Sequence, residues 1–387
     1  SELLMWHKKK MLRVLYSKLG SLFRPFAKSA PPRTSSMEGQ TLPWQDTLAA
    51  ITDLKAMAAE HTEAFTIHLA LGNLYRAQGD LDQAIATRSF MLHRPDLSAK
   101  QQGRIFLELG RDYKRSGLLD RAEHMFDQAR EILGHDPALL DEMASLAAAT
   151  RDHERAAGLF AAVNKPVAQA HHMVQQAKSM AGKGETNRSA WLLRKALKIA
   201  PGSVEAWMER MIQAYDCGDW DNLSRYFTQG LSAVEPRLRF LLLEGLTQHM
   251  FTRRSPQELF CPVVPPEAGQ ALITVIAAHP PEVHLLYYGA WIHIQMGNTA
   301  QAKTHLQQCC ELNPEFWPAR LELLALYAAE DELSPICREH LEYILQSGRH
   351  VNKFVCSKCG LKLDQIFFQC PRCRSWHSIA FLKTLDS

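Results

Sequence analysis

Cys356, Cys359, Cys370 and Cys373 stand in C-x2-C-x10-C-x2-C spacing, within Phe-Val-Cys-Ser-Lys-Cys-Gly and Gln-Cys-Pro-Arg-Cys-Arg. Two such turns can set four thiolates tetrahedrally around one ion, and an all-thiolate set suits zinc or iron. Each C-x-x-C turn lets both sulfurs reach the metal while backbone amides point back at them. Gly360 falls where the first turn wants φ > 0, and Pro371 stiffens the second. Four thiolates around a divalent ion carry a surplus of negative charge, which Lys358, Arg372 and Arg374 on or beside the turns would offset. A module of about 35 residues is too small to fold on its own core, so metal binding should supply much of its folding energy. A full ligand set leaves no open coordination position, which points to a closed structural site and away from metal-assisted hydrolysis. A redox role for iron would want a second electron station, and no cofactor motif accompanies the four cysteines.

The elements before this module show an internal period of about 34 residues. One unit reads Leu71-Gly72-Asn73-Leu74-Tyr75, then Gly79 and Ala84; the next reads Leu109-Gly110-Arg111-Asp112-Tyr113, then Gly117, Ala122, Phe126 and Ala129. Ala156 and Phe160, Ala177, Ala196 and Pro201, Trp207, Gly218 and Phe227 continue the phase, and Ala290, Gly297, Ala302 and Pro314 mark a late unit. This is the tetratricopeptide pattern: two antiparallel helices per unit, small residues where they approach, an aromatic filling the space between them. An insertion is expected around Arg94–Lys100, a proline-rich loop over 252–266 interrupts the array, and residues 47–60 read as the second helix of a degenerate first unit. The predicted fold is an all-α tetratricopeptide-repeat solenoid over 47–347 followed by a small β module of zinc-ribbon type over 352–387. The first helix of each unit lines a concave face, where Asn73, Arg76, Arg104, Arg111, Lys114 and Arg115 could hold a peptide's carboxylates.

The 387 residues are ample for a large core, and 46% hydrophobic with 22% charged is the composition of a globular protein. Nine cysteines with no secretory signal or disulfide framework favour a reducing compartment. Residues 1–36 carry eight Lys or Arg against Glu2, so that segment is +7 in a chain of net +3 and the remainder is −4. An acidic body argues against nucleic-acid binding; the basic head suits an anionic surface. Within 1–28, Met11, Leu12, Leu15, Leu19, Leu22, Phe23 and Phe26 recur at helical spacing, with Lys8, Lys9, Lys10, Arg13 and Lys18 beside them and Trp6 as an interface anchor. The segment is expected to touch a membrane through Trp6, Lys8, Lys9, Lys10 and Arg13. Residues 29–46 read as a flexible linker, and no apolar run is long enough to span a bilayer.

No phosphate-binding, dinucleotide, zinc-protease, serine-elbow or kinase motif occurs. The chain is therefore expected not to be an enzyme. His171-His172 is an adjacent histidine pair, but neighbours on a helix point about 100° apart, so it is no ready two-ligand face. Cys309 falls on a small-residue core position and reads as packing.

A basic N-terminus, a tetratricopeptide array and a C-terminal knuckle pair together resemble the lipopolysaccharide assembly protein B (LapB) family. The likeness is sharpest at Leu71-Gly72-Asn73-Leu74-Tyr75-Arg76, at Leu109–Glu123, and from Cys356 to Cys373 with Trp376 and Ile379. The resemblance implies a rubredoxin-like module with one zinc or iron ion on Cys356, Cys359, Cys370 and Cys373, and Trp376 as its core aromatic. It also implies a non-catalytic adaptor at the cytoplasmic side of the bacterial inner membrane, peripheral or anchored. Its partners would be an FtsH-type membrane AAA protease, the lipid A pathway deacetylase and other lipopolysaccharide-assembly proteins. A homodimer is left open, and the alternatives are a general scaffold for envelope-assembly enzymes and, remotely, a rubredoxin-type electron carrier. The family usually begins with a transmembrane helix, where this sequence has a basic amphipathic segment.

Overall fold

The computed structural model describes residues 50–57, 65–252, 264–330, 341, 344–345 and 353–382. The basic segment 1–28 with Trp6, Lys8, Lys9, Lys10 and Arg13, the linker 29–46 and most of the proline-rich loop lie outside the described residues. The chain divides into two compact units, 1–91 and 92–387.

The helices are α1 (Phe65–Gln78), α2 (Leu81–Leu92), α3 (Ala99–Arg115), α4 (Leu119–Leu133), α5 (Pro137–Ala149), α6 (His153–Ala162), α7 (Pro166–Gly182), α8 (Thr186–Ile199), α9 (Val204–Asp216), α10 (Trp220–Ala233), α11 (Phe240–Thr252), α12 (Pro266–Ala278), α13 (Val283–Gln295), α14 (Thr299–Leu312) and α15 (Trp317–Glu330). Three short strands follow, β1 (Phe354–Cys356), β2 (Lys362–Leu363) and β3 (Ile379–Phe381), in one antiparallel sheet of order β2-β1-β3. Among the described residues no helix is long and apolar enough to cross a membrane.

The sequence punctuates these helices. Ser98 accepts the Gln101 amide while the Gln101 side chain takes the Ser98 amide, a reciprocal box that opens α3 directly after the predicted insertion. Asp136 accepts the amides of Ala138 and Leu139 with Pro137 at the first helical position of α5. Inside each hairpin the turn is the same: a residue of positive φ, then an amide that reaches the carbonyl five residues back, as Leu118 N reaches Tyr113 O at 2.9 Å past Gly117 (φ 78). Arg151 (φ 61) takes that conformation without being glycine, as does Asn164 (φ 55) in the turn between α6 and α7.

In the first unit α1 and α2 pack around Leu71, Tyr75 and Ala84, with Ile51 of the helical stretch 50–57. Where the next repeat has Phe126, this one has Arg88, wholly buried, its Nη2 donating to Asn73 Oδ1 at 2.7 Å. In the second unit α3 pairs with α4, α5 with α6, α7 with α8, α9 with α10 and α13 with α14. Gly110 of α3 lies against the Phe126 ring so closely that an added Cβ would sit 2.4 Å from a ring carbon. Phe126 is fully buried, so the ring cannot swing into solvent. Gly110→Ala should cost about 1–3 kcal/mol by overpacking, read as a fall in the urea midpoint; an unchanged midpoint would show that the two helices separate freely.

The cores of array and module are continuous. One cluster joins Met173, Trp207, Leu242, Leu285 and Phe316 of the array to Phe354, Cys356, Phe367, Cys370, Ile379 and Phe381 of the module. This is a helical repeat array carrying a small C-terminal β region that bears four cysteines.

Candidate metal centre

The two C-x-x-C turns are built alike. Gly360 N donates to Cys356 O at 2.9 Å and Arg374 N to Cys370 O at 2.8 Å, while Cys356 N reaches Leu361 O at 2.8 Å and Cys370 N reaches Ser375 O at 2.9 Å. The residue after each second cysteine has positive φ: Gly360 at 70° and Arg374 at 56°. Glycine signalled the first of these turns; in the second an arginine adopts the same conformation because the surrounding bonds demand it. The sheet register Cys356↔Ile379 and the bridge Gln369↔Trp376 bring the two turns face to face.

The four Sγ atoms lie within 4.8 Å of one another, with Cys356–Cys373 at 3.7 Å and Cys359–Cys370 at 3.6 Å. A tetrahedron with zinc–sulfur bonds of about 2.3 Å has edges of about 3.8 Å, so the spacing fits one ion and is far from a disulfide. Burial pushes the Cys356 thiol up, but the Ser378 hydroxyl and the amides of Lys358 and Cys359 outweigh it and bring it down to about 5. The Ser375 hydroxyl and amide hold Cys373 down as well. The Leu361 amide favours a thiolate at Cys359, yet burial and the neighbouring sulfurs outweigh it and push that thiol up to about 11. Without a cation the cluster cannot place four negative charges so close together; a bound ion removes that conflict. The residues present therefore fit a tetrathiolate ion. Such an ion would supply cross-linking of the two turns, with every ligand taken from the protein.

Sequence reasoning missed how this module is held. Glu205, at the start of α9 and 1% exposed, lies between the array and the module. His171 Nδ1 of α7 is 3.1 Å from its Oε1; His377 Nε2 of the module is 3.2 Å from its Oε2, and the Ser203 hydroxyl donates to the same oxygen at 3.2 Å. Burial raises the Glu205 carboxyl, but bonds and charge from His171 and His377 outweigh it and bring it down to about 2. The histidine pair that offered no two-ligand face instead divides its work. His171 turns to Glu205 and packs edge-on against Trp376 at 4.9 Å. His172 stacks on Phe160 at 5.3 Å and meets His153 across 3.3 Å. Burial, with His171 and His153 adding to it, drives His172 down to about 3, so it is held neutral.

Trp376 corrects an expectation. It is not the module's core aromatic; it packs outward against an array cluster made of Ala144, Ala147, Ala156, Phe160 and Ala168. Phe354, Phe367 and Phe381 fill the module, and Phe381 in turn meets Phe240 (4.8 Å), His284 (4.8 Å) and Phe316 (5.6 Å). The module thus braces α7, α9, α11 and α13 at once. Cys309 is buried, donates to Val283 O at 3.2 Å and is pushed up to about 12 by burial and by Cys310, in keeping with a packing role.

The donors offered to a partner's carboxylates are mostly engaged within the chain. Asn73 Oδ1 accepts from Arg88 and from Arg76 at 2.9 Å. Arg111 reaches Glu142 at 3.0 Å and Glu108 at 2.8 Å, Lys114 reaches Glu142 at 2.6 Å, and Arg104 reaches Glu108 at 3.1 Å. Arg115 is exposed. Burial raises the Glu142 carboxyl, but Lys114 and Arg111 outweigh it and hold it below its usual range.

Residues 289–316, spanning most of α13 and α14, match the tetratricopeptide repeat family. The chain is similar to lipopolysaccharide assembly protein B of Escherichia coli K12, 23% identical over 362 residues that cover 85% of this chain and 84% of that protein. It is similar to the protein of the same name from Haemophilus influenzae, 20% identical over 330 residues, 83% of this chain and 80% of that one. A crystal structure of a tetratricopeptide repeat protein from Parabacteroides merdae aligns with a TM-score of 0.37 and 17% identity over 68% of this chain and 98% of its own.

Proposed function

The chain belongs to the lipopolysaccharide assembly protein B family of tetratricopeptide proteins, and on that premise we propose that it is a non-catalytic adaptor regulating lipopolysaccharide synthesis at the cytoplasmic face of an inner membrane. In this reading it presents the lipid A pathway deacetylase to a membrane AAA protease of the FtsH type. The observation that carries the proposal is kinship along 85% of the chain combined with a four-cysteine module seated on a repeat array. The array grips a partner; the module, with its ion on Cys356, Cys359, Cys370 and Cys373, fixes the relative placement of four helices. Arg104, Arg111, Lys114 and Arg115 are the proposed partner contacts. A partner carboxylate would compete there with Glu142 and Glu108, which favours acidic segments over neutral ones. Residues 1–28, through Trp6, Lys8, Lys9, Lys10 and Arg13, would hold the protein to the bilayer.

The test is the deacetylase half-life in cells with and without this protein, paired with mass spectrometry of what co-purifies. A lengthened half-life on deletion and recovery of the protease are expected. An unchanged half-life with no protease in the pull-down would overturn the reading in favour of a general envelope-assembly scaffold.

A further inference from the structure

Helix α8 carries four cations, Arg188, Arg194, Lys195 and Lys198, and no acid. At about 100° per residue, Arg194, Lys198, Trp191, Lys195 and Arg188 fall in sequence around one arc of about 120°. Leu192, Leu193, Ala196 and Leu197 occupy the buried side. Trp191 is 52% exposed, its ring 5.2 Å from the Lys195 ammonium. Of the four cations only Arg188 has an acid partner among the described residues, Glu185 at 3.3 Å.

Beside this arc runs a groove of about 170 Å³ between α8, α9 and α10, lined by Arg194, Arg210, Gln213, Asn222 and Tyr226 among others. Arg210 lies 3.8 Å from the Tyr226 ring centre and has no ion pair among the described residues. Burial raises the Tyr226 phenol, but Arg225 and Arg210 outweigh it and hold it below its usual range. Asp219 also lines the groove, its carboxylate tied to the backbone and side chain of Asn222.

A tryptophan left in solvent amid unpaired cations, next to a groove with two guanidiniums, is poorly explained by folding. Burial would favour an apolar residue at 191, and solubility would favour mixed charge on the arc. A tryptophan at the depth of lipid headgroups, cations around it and a phosphate between two guanidiniums account for all three features. We propose that the outer face of α8, with the Arg194–Arg210–Tyr226 groove, is a docking site for anionic lipid: a phosphate headgroup enters the groove and Trp191 beds beside it in the bilayer interface. This site draws on no residue of 1–28 and stands whether or not the chain engages a protease or a deacetylase.

The full chain should be sedimented with phosphatidylcholine vesicles with and without phosphatidylglycerol, as itself and as the pair Arg194→Glu with Lys195→Glu. Both should also be made in a background where Lys8, Lys9 and Lys10 are changed to Glu, so that the N-terminal segment does not mask the result. Each cation near an anionic surface is worth about fivefold in partitioning, so the pair, which removes two cations and adds two anions, should lose at least about 25-fold on anionic vesicles. Trp191→Ala should weaken binding in the same background, and Arg194→Lys with Lys195→Arg should restore it. These positions are exposed, and helical circular dichroism will confirm that the variants fold. Equal partitioning of wild type and charge-reversed pair in both backgrounds would overturn the proposal. Calorimetric binding of inorganic phosphate without partitioning onto vesicles would overturn it as well.

Discussion

Replacing Cys356 and Cys359 together by serine should unfold residues 353–382 while α1–α15 keep their helical signal. Structural zinc in small modules contributes on the order of 10–16 kcal/mol of binding free energy, and without it three short strands cannot hold together. The loss should not stop at the module. Phe354, Phe367 and Phe381 belong to the same core as Phe240, Leu285 and Phe316, so their departure exposes apolar surface on α11, α13 and the start of α15. Each large side chain withdrawn from that core forfeits about 1.5–3 kcal/mol of burial. The expected result is full helical circular dichroism at low temperature, a markedly lower urea midpoint for the array, and new binding of an apolar dye. Helicity lost throughout would mean that the array cannot stand without its brace. An unchanged midpoint would mean that the shared core contributes nothing.

The second large effect is expected at Glu205. Its carboxylate is enclosed and serves His171, Ser203 and His377, so Glu205→Ala leaves two imidazoles and a hydroxyl facing a cavity. Breaking a buried pair by removing one partner costs about 3–5 kcal/mol. Only part of that falls on the array, because His377 and Trp376 can leave with the module. Hydrogen exchange should rise over residues 366–382 and over the first turn of α9, and Glu205→Gln should restore part of the protection. The pH dependence has a fixed sign. Glu205 has a folded value of about 2 against an ordinary 4.5, so its contribution is complete above pH 4.5 and is lost as pH falls toward 2. His172, held neutral with a folded value of about 3 against 6.5, begins to weaken the fold earlier, from pH 6.5 downward, because only the unfolded chain takes the proton. Urea midpoints should therefore fall between pH 7 and pH 5, and His172→Leu should flatten that slope; a slope unchanged in that variant would remove His172 from the account.

What could be read from the sequence was what repeats or sits close together. The four cysteines fall within eighteen residues, and their turns are local, so spacing alone brought them to one point. The tetratricopeptide phase was legible because Gly110 and Phe126 must fit one another and the same fit recurs. The latch was not legible. His377 and Glu205 are 172 residues apart, and Glu205 by itself looks like an ordinary acid in the first turn of a helix. Trp376 was misread because a tryptophan beside a knuckle can face either way; Phe354 and Phe381 already fill the module, and His171 with Phe160 offers it a better surface. Arg88 shows the other failure, a charged residue standing where a repeat wants an aromatic and made tolerable by Asn73. That bond also engages the side-chain oxygen of Asn73, one of the residues placed on the concave face.

The central claim is that one ion on four thiolates holds the module against the array. Native mass spectrometry of the full chain at neutral pH tests it most directly. One zinc or iron per chain is expected, lost in Cys356→Ser with Cys359→Ser, together with a jump in hydrogen exchange across 353–382 when the ion is chelated. A chain that carries no metal yet keeps those residues protected would contradict it.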